Sequence, residues 1–427
     1  VHLLEPFWSD TADSFTPCEL TAPVHLHPAP EGGAGCRKIS LRDAVSSDNQ
    51  SLICTGKGFP VIRNFKRTAA IFGIVAATST ALVACSEESG SSSDSAGGED
   101  VSGELVGDGA SSQQNAMSYF QTAFSEDHPD ASLSYNASGS GAGVEAFTNG
   151  QADFAGSDSA LKEDEGEVEA AAKRCDGNEA WHLPTTIGPV AIAYNLGDTE
   201  INLSTKTLGK IFKGEIKKWN DKAIAADNEG TDLPDKDITV IFRSDESGTS
   251  ANFQKFLKAA TGDWDSEGKQ FPDSVGEGAN GSSGVADQVA SIDGAITYVE
   301  AGFADQKEGE GVKKAKIDFG HGPVELSTES VNKALENLEF KKTDSEHNMV
   351  VDSEALFSSD NEGAYPLILT TYNIVCSKGY DEETSKLVKS FFTTVLDHQD
   401  DQLAEQGFIP VEGAHLDKLK AAVDALQ

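Results

Sequence analysis

The chain has little positive charge, and little cysteine or histidine. Lys and Arg total 33 against 70 Asp and Glu, giving a formal net charge of −37 over 427 residues. A surface of that sign repels a polyanion at long range, so non-specific binding of DNA or RNA is excluded. Six cysteines in 427 residues are too few for a disulfide scaffold, and no pair has C-x-x-C spacing, which excludes a zinc ribbon and a thioredoxin-like redox motif. After residue 85 the histidines are His128, His182, His321, His347, His398 and His415, scattered and without H-x-x-x-H spacing. No metal site follows from them, and a hydrolase would lack a recognisable base or metal. What the chain does have is length for two or three domains and 38% hydrophobic residues, enough for packed cores.

The charge is unevenly spread. Residues 1–84 hold seven basic and seven acidic side chains, so all of the net −37 belongs to 85–427. Arg63, Lys66 and Arg67 precede an uncharged run from Ala69 to Ala84, 16 residues that end at Cys85. That is the layout of a secretory signal. At ~1.5 Å per residue the run spans about 24 Å, short of the roughly 30 Å hydrocarbon core of a bilayer, so a transmembrane helix is the weaker reading. Leu82-Val83-Ala84-Cys85 resembles the bacterial lipobox, in which the cysteine is acylated and becomes the new N-terminus; the alternative is a buried helix ending in an ordinary cysteine. The expectation is therefore a lipoprotein signal peptide over 61–84, a palmitate-bearing Cys85, and a flexible tether over 85–100, where Ser86–Asp100 contains one apolar residue, Ala96. Residues 1–60 show no sustained periodicity, and their three cysteines and three histidines lack metal-ligand spacing. They read as a doubtful N-terminal extension, with Val61 as the expected start.

From residue 101 short β-like runs alternate with helical patterns, which predicts an α/β protein with helices on the sheet faces. Strands are expected at Gly103–Gly107, Ser132–Asn136, Ala152–Ala155, Ile187–Asn195, Ile238–Phe242, Ala295–Val299 and Leu367–Val375. Helical spacing marks Ser112–Phe124, Val144–Thr148, Leu208–Phe212, Ala251–Ala260 and 384–396.

Three loops rich in Gly and Ser stand immediately before helical patterns: Gly107–Ser112, Ser138–Gly143 and Ser247–Ser250. A helix N-terminus offers unpaired N–H groups and the positive end of the dipole, which suits a compact anion. Helix caps and chain turns are the plainer reading of any one such loop. Between the apolar run Ile238–Phe242 and the third loop lie Arg243 and Asp245. Two residues apart, they point the same way on extended chain, and a guanidinium gives an oxyanion two parallel donors.

At these residues the sequence resembles the phosphate-binding proteins of bacterial Pst-type ABC importers, over about 101–427. The family pattern R-x-D-x-S-G-T stands as Arg243, Asp245, Ser247, Gly248 and Thr249; G-S-S/G-x-G as Gly139–Gly143; and F-G/A-x-S-D as Phe154-Ala155-Gly156-Ser157-Asp158. The first loop departs from G-A-G-A-T-F, reading Gly-Asp-Gly-Ala-Ser111-Ser112. The resemblance implies a two-lobed periplasmic-binding-protein fold, with 101–187 and 364–427 as lobe I, 188–363 as lobe II, and two chain crossings around a hinged ligand cleft. It implies phosphate ligands at Ser111, Ser112, Ser140, Asp158, Arg243, Asp245, Ser247, Gly248 and Thr249, no catalytic residue, no metal and no cofactor.

The expected function is a high-affinity receptor for HPO₄²⁻ or H₂PO₄⁻, delivering it to the permease and ATPase subunits of the importer. Its place would be the outer face of the bacterial cytoplasmic membrane, held by lipidated Cys85. Asp158 is the selective element, because a carboxylate accepts from a protonated anion and repels sulfate. The alternatives are a receptor for another tetrahedral oxyanion and a secreted phosphatase. Cys175 and Cys376 both fall in lobe I and are the only cysteines left after lipidation of Cys85, so in an oxidising exported setting a disulfide between them is expected.

Overall fold

The computed structural model describes residues 101–427 apart from Asn337 and Ser359; Cys85, the signal segment and the tether lie outside the described residues. The strands are β1 Gly103–Gly109, β2 Ala131–Asn136, β3 Phe154–Ser157, β4 Ala180–Asn195, β5 Asn202–Ser204, β6 Thr239–Arg243, β7 Glu277–Ala279, β8 Ala295–Glu300, β9 Val312–Lys314, β10 Lys316–Asp318, β11 Pro323–Val324 and β12 Ile368–Cys376. The main sheet runs in the order β2-β1-β3-β12-β4-β8-β6-β7, with β9 also on β4, and β11-β10-β5 form a small second sheet. Parallel pairing joins β1 to β2 and β3, and β6 to β7 and β8. Those two parallel groups are the two halves of an α/β architecture, each with helices packed on it.

The strand β4 joins the halves. Its first part, Ala180 to Pro189, pairs antiparallel with β12, and Val190–Tyr194 pair antiparallel with β8. Residue 190 is also where the second connection passes: Val190 N donates to Leu367 O at 2.9 Å, and the buried Tyr365 hydroxyl donates to Val190 O at 2.8 Å. The two crossing segments are thus bonded side by side, the arrangement that permits rotation about a narrow strip.

Sequence periodicity places the start of β4 at Ile187, seven residues late. The missed stretch contains Pro184, and proline cannot donate to a ladder. The structure accommodates Pro184 at a break in register, where the pairing steps from Thr371↔Thr186 to Asn373↔Leu183. All of β4 except Asn195 is buried, and continuous burial erases the period-2 signal. Other helices are nearer expectation: Ala116, Met117, Phe120, Ala123 and Phe124 form the buried face of Gln114–Asp127, and Leu387, Val388, Phe391, Phe392, Val395 and Leu396 that of Glu382–Asp397. Phe391 stacks on Phe154 and meets Phe124 edge to face. In the other half Phe253 stacks on Tyr298, with centroids 4.6 Å apart, and meets Phe212 at 4.8 Å.

Cys175, after the helix Glu167–Arg174, is bonded to Cys376 at the end of β12, with Cα atoms 5.3 Å apart and the two residues 201 positions apart in sequence. Closing so long a loop constrains the unfolded chain, so the Cys175→Ser/Cys376→Ser pair is expected to lose about 2–5 kcal/mol of stability. Denaturant titration of both forms checks this; coincident midpoints would show that the bond adds nothing.

The segment 340–352 lies against the first half of β4. Met349 N donates to His182 O at 3.0 Å, and Val351 N to the Tyr372 hydroxyl at 3.1 Å. Burial pushes the His182 imidazole down to about 4, so it is neutral at pH 7. Its Nε2 accepts from Leu161 N at 2.9 Å, which leaves the proton on Nδ1 to donate to Asn348 Oδ1 at 2.7 Å.

Candidate anion-binding site

The chain leaves three parallel strands of the first half at one end of the sheet, and each exit carries a polar residue. After β1, Ser111 and Ser112 form a single 3₁₀ turn that leads into the helix Gln114–Asp127. Gly109 makes that exit possible: its φ is +138°, and a Cβ there would run into the Gly156 carbonyl. After β2, Gly139 (φ +106°) turns the chain so that Ser140 opens the helix Ser140–Thr148. After β3 comes Asp158.

The second half answers with β6. Arg243 is its last residue, and Ser247 caps the helix Gly248–Thr261 by accepting from Ser250 N at 3.1 Å. The ligand positions in both halves are therefore the carboxyl ends of parallel strands and the helix N-termini that follow, where open α/β sheets hold ligands.

These exits meet. Asp158 Oδ1 accepts from Ser112 Oγ at 2.6 Å and Thr371 Oγ1 at 2.7 Å, and Oδ2 from Ser140 Oγ at 3.3 Å. Across the halves Gly248 N donates to Ser140 Oγ at 3.1 Å, and Gly141 N to Glu246 O at 2.9 Å. A Cβ at Gly248 would strike Ser140 and Asp158, so the backbone approach itself requires glycine. Glu246 is exposed, with its carboxylate over Gly141.

Arg243 is 2% exposed. Its Nε donates to Asp245 Oδ1 at 2.7 Å and its Nη2 to Asp245 Oδ2, a two-pronged pair; Nη1 reaches Ser282 Oγ at 3.1 Å and Thr249 Oγ1 at 3.3 Å. Burial opposes both charges of the pair, but the facing carboxylate outweighs it and raises the guanidinium, while Arg243 and the Gly281 amide hold Asp245 below the usual carboxylate range. Asp158 goes the other way. Burial, then the charge of Glu300, push it up to about 6, against the opposing pull of Ser112, Thr371 and Arg243.

All nine residues expected from the sequence are thus gathered at one place: Ser111, Ser112, Ser140 and Asp158 from the first half, and Arg243, Asp245, Ser247, Gly248 and Thr249 from the second. Two of them are engaged differently from expectation. Ser247 Oγ is the helix cap. Thr249 Oγ1 donates its one proton to the buried Glu300 Oε1 at 2.6 Å, which leaves it acting as an acceptor toward Arg243.

Three residues at the site escape the sequence reading. Ser282 bonds Ser111 through both its N–H (3.0 Å) and its hydroxyl (3.2 Å). It opens the helix Gly281–Ser291, and the run Asn280-Gly281-Ser282-Ser283-Gly284 carries the same Gly/Ser signal as the three loops that were singled out. Glu300 has no such signal, because it follows an ordinary apolar strand. Thr371 reaches Asp158 beside the break in register of β12, which is re-aimed by pairing and is invisible in sequence.

Hydroxyls, amides and one paired guanidinium around a carboxylate with a raised pKa make a site for a compact oxyanion that carries a proton. Among the described residues no group of His, Cys, Asp and Glu is placed to hold a metal ion. A doubled α/β fold with such a site between two crossings defines a solute-binding protein of the periplasmic-binding-protein class.

Comparison with known proteins agrees. Residues 94–397 match the family model described as a PBP superfamily domain. The phosphate-binding protein PstS2 of Mycobacterium bovis is 41% identical over 373 residues, 85% of this chain and 99% of that protein. Phosphate-binding protein PstS 3 of Mycobacterium leprae is 39% identical over 327 residues, 75% of this chain and 86% of the relative. Among solved structures, a phosphate-binding protein from Stenotrophomonas maltophilia superposes with a TM-score of 0.56 at 22% identity, covering 75% of this chain and 93% of its own. A high-affinity periplasmic phosphate-binding protein bound with phosphate at pH 8.5 gives 0.59 at 23%, covering 74% and 93%. The chain belongs to the PBP superfamily and, within it, to the family of these phosphate-binding proteins.

Proposed function

We propose that this chain is the phosphate receptor of an ABC importer: a binding protein without catalysis or cofactor, which takes HPO₄²⁻ or H₂PO₄⁻ into the cleft and hands it to a membrane permease driven by an ATPase. The observation that carries this reading is Asp158, a nearly buried carboxylate set among hydroxyl, amide and guanidinium donors. A carboxylate facing an anion is repulsive unless the anion supplies a proton, and HPO₄²⁻ has one to supply. Ser111, Ser112, Ser140, Gly248 and Thr249 are proposed as phosphate donors with Arg243. Ser247 and Asp245 hold the loop and the guanidinium.

In this reading lobe I is 101–187 with 364–427 and lobe II is 188–363, separated at the crossings near 190 and 367. The segment 340–352 belongs to lobe II by sequence and lies on lobe I. Phosphate enters with the lobes apart, and closure brings the two sets of donors around it. Equilibrium dialysis with labelled phosphate, run beside incubation with a chromogenic phosphomonoester, tests the reading. Retained phosphate without hydrolysis supports it; turnover of the ester, or no retention, overturns it.

The raised pKa of Asp158 adds a pH signature. Sulfate has no proton to give, so it binds the form in which Asp158 is itself protonated. Its affinity is expected to rise about tenfold per pH unit as pH falls from 8 toward the site's pKa near 6, and to level off below. Sulfate titrations at pH 8, 7, 6 and 5 read this directly; a flat profile contradicts it.

Among the described residues no helix is long and apolar enough to cross a membrane. The proposed attachment is the lipidated Cys85, holding the exported protein at the outer face of the cytoplasmic membrane. Cys85→Ala is expected to move the protein from the membrane fraction to the soluble fraction with its phosphate affinity unchanged. Retention of the variant in membranes would contradict the anchor.

A further inference from the structure

Beside Asp158 opens a cavity of about 60 Å³ whose walls include Asp158, Ser159, Asn252, Lys255, Lys341 and Tyr372. Two lysines here are unusual in a chain at −37. Elsewhere on the surface lysines are commonly tied to carboxylates, as Lys218 is to Asp235 and Lys307 to Asp287. Lys255 and Lys341 form no ion pair, and their ammonium groups make no hydrogen bond, among the described residues. Both are exposed.

Their positions are fixed by backbone. Lys255 lies two turns along the helix Gly248–Thr261, whose first N–H faces Ser140. Lys341 is held by its own N–H to Val350 O at 2.7 Å, beside the Phe340↔Val351 bridge. The two come from separate segments and line the same cavity as Asp158. Crowding by protein atoms, and then the like charges of Lys341 and Lys162, lower the Lys255 ammonium from its ordinary range; Glu354 and Glu267 pull the other way. Lys162 is itself paired with Glu165 at 2.5 Å, so its charge is partly answered. Neither Lys255 nor Lys341 has such a contact pair among the described residues.

We propose that Lys255 and Lys341 form an encounter subsite for the phosphate dianion, a cationic antechamber on the Asp158 side of the cleft. It rests on the phosphate reading above. The need for it follows from the charge. A chain with a net charge of −37 sets up a field that opposes an approaching dianion, and that field is screened over about 10 Å at 0.1 M salt. At the cavity beside Asp158, Lys255 and Lys341 are two cations without an ion pair among the described residues, and a local patch of one sign at a cleft raises the association rate. Charges outside the final contact act on the rate of arrival and leave the rate of departure to the donors inside.

The test measures association and dissociation of labelled phosphate with the full chain by rapid filtration and chase, needing no optical signal. In Lys255→Gln/Lys341→Gln the association rate at ~10 mM ionic strength is expected to fall about five- to tenfold, with the dissociation rate within twofold of the parent. At ~0.5 M salt the difference shrinks below twofold. Lys255→Arg/Lys341→Arg restores the rate, and Lys206→Gln/Lys217→Gln, with the same net charge at exposed sites elsewhere, leaves it unchanged. Parent protein that fails to retain phosphate sinks the phosphate reading itself. Parent protein that binds, with the double glutamine variant arriving as fast as the parent or no slower than the distant control, overturns the antechamber alone.

Discussion

Arg243→Met is expected to weaken phosphate binding by a factor of about a hundred to several thousand. The guanidinium is the one cation bonded within the cluster of site residues, it is 2% exposed, and it holds Asp245 by two parallel hydrogen bonds. Removing one partner of a buried pair costs about 3–5 kcal/mol, because the other charge is left without an answer. At ~1.4 kcal/mol per tenfold, that spans the stated range. Part of the cost falls on the free protein, where Asp245 would draw in water by opening the cleft. The remainder falls on the complex, in which the anion then faces Asp158, Asp245 and Glu300 with no cation between. Arg243→Lys keeps the charge and loses the fork, so an intermediate loss is expected. Calorimetric titration with a thermal melt of each variant separates the effects. A melting point that falls while affinity stays constant would make Arg243 a structural residue only.

Asp158→Asn is expected to change selectivity more than stability. With aspartate present, bound sulfate leaves a buried acceptor unpaired and facing like charge; even a neutral unsatisfied group costs about 1–3 kcal/mol, and a charged one more. That supplies a discrimination of about a hundredfold or more. The amide removes the charge and turns an N–H toward the anion, so it penalises the ligand with a proton to give and relieves the one without. Ser112 and Thr371 both donate to Oδ1 and can donate equally to the asparagine's carbonyl oxygen, so the loss at the loop is confined to the 3.3 Å bond from Ser140 to Oδ2, where an amide nitrogen cannot accept. At pH 8, where phosphate is mostly dianionic, the phosphate-to-sulfate affinity ratio should collapse by about two orders of magnitude. Equal losses for both anions would reduce Asp158 to a loop-orienting residue. The sulfate pH dependence should vanish in the same variant, since its titrating group is gone.

Much of this site is legible in the sequence because local chemistry builds it. Arg243, Asp245, Ser247, Gly248 and Thr249 lie within seven residues at one strand exit, and glycines with serines mark the helix starts at 111–112 and 139–141. Each of these needs only its own loop to be recognised. Ser282 is the instructive omission, since its loop has the same composition and only the weaker helical pattern of Gly281–Ser291 hid it. Glu300 and Thr371 are a different case. They arrive by tertiary placement, Glu300 at the end of a strand whose register with β4 aims it inward, Thr371 at a break in pairing whose cause is a proline on the neighbouring strand. No periodicity records such events. The same proline concealed the first half of β4, and with it the strand on which the two lobes turn.

The roles of the hydroxyls were less legible than their positions. A threonine at the end of R-x-D-x-S-G-T reads as a donor to the ligand, yet its single proton goes to Glu300 in this structure. For Thr249 to donate to phosphate, that proton must be released as the anion enters. Composition cannot express such competition, because it depends on which acceptor is 2.6 Å away.

The most direct test of the account is a calorimetric titration of the unmodified protein with phosphate and with sulfate at pH 8. The account predicts one saturable phosphate site per chain and a sulfate affinity weaker by about a hundredfold or more. Sulfate binding as tight as phosphate, or no phosphate binding at all, would contradict it.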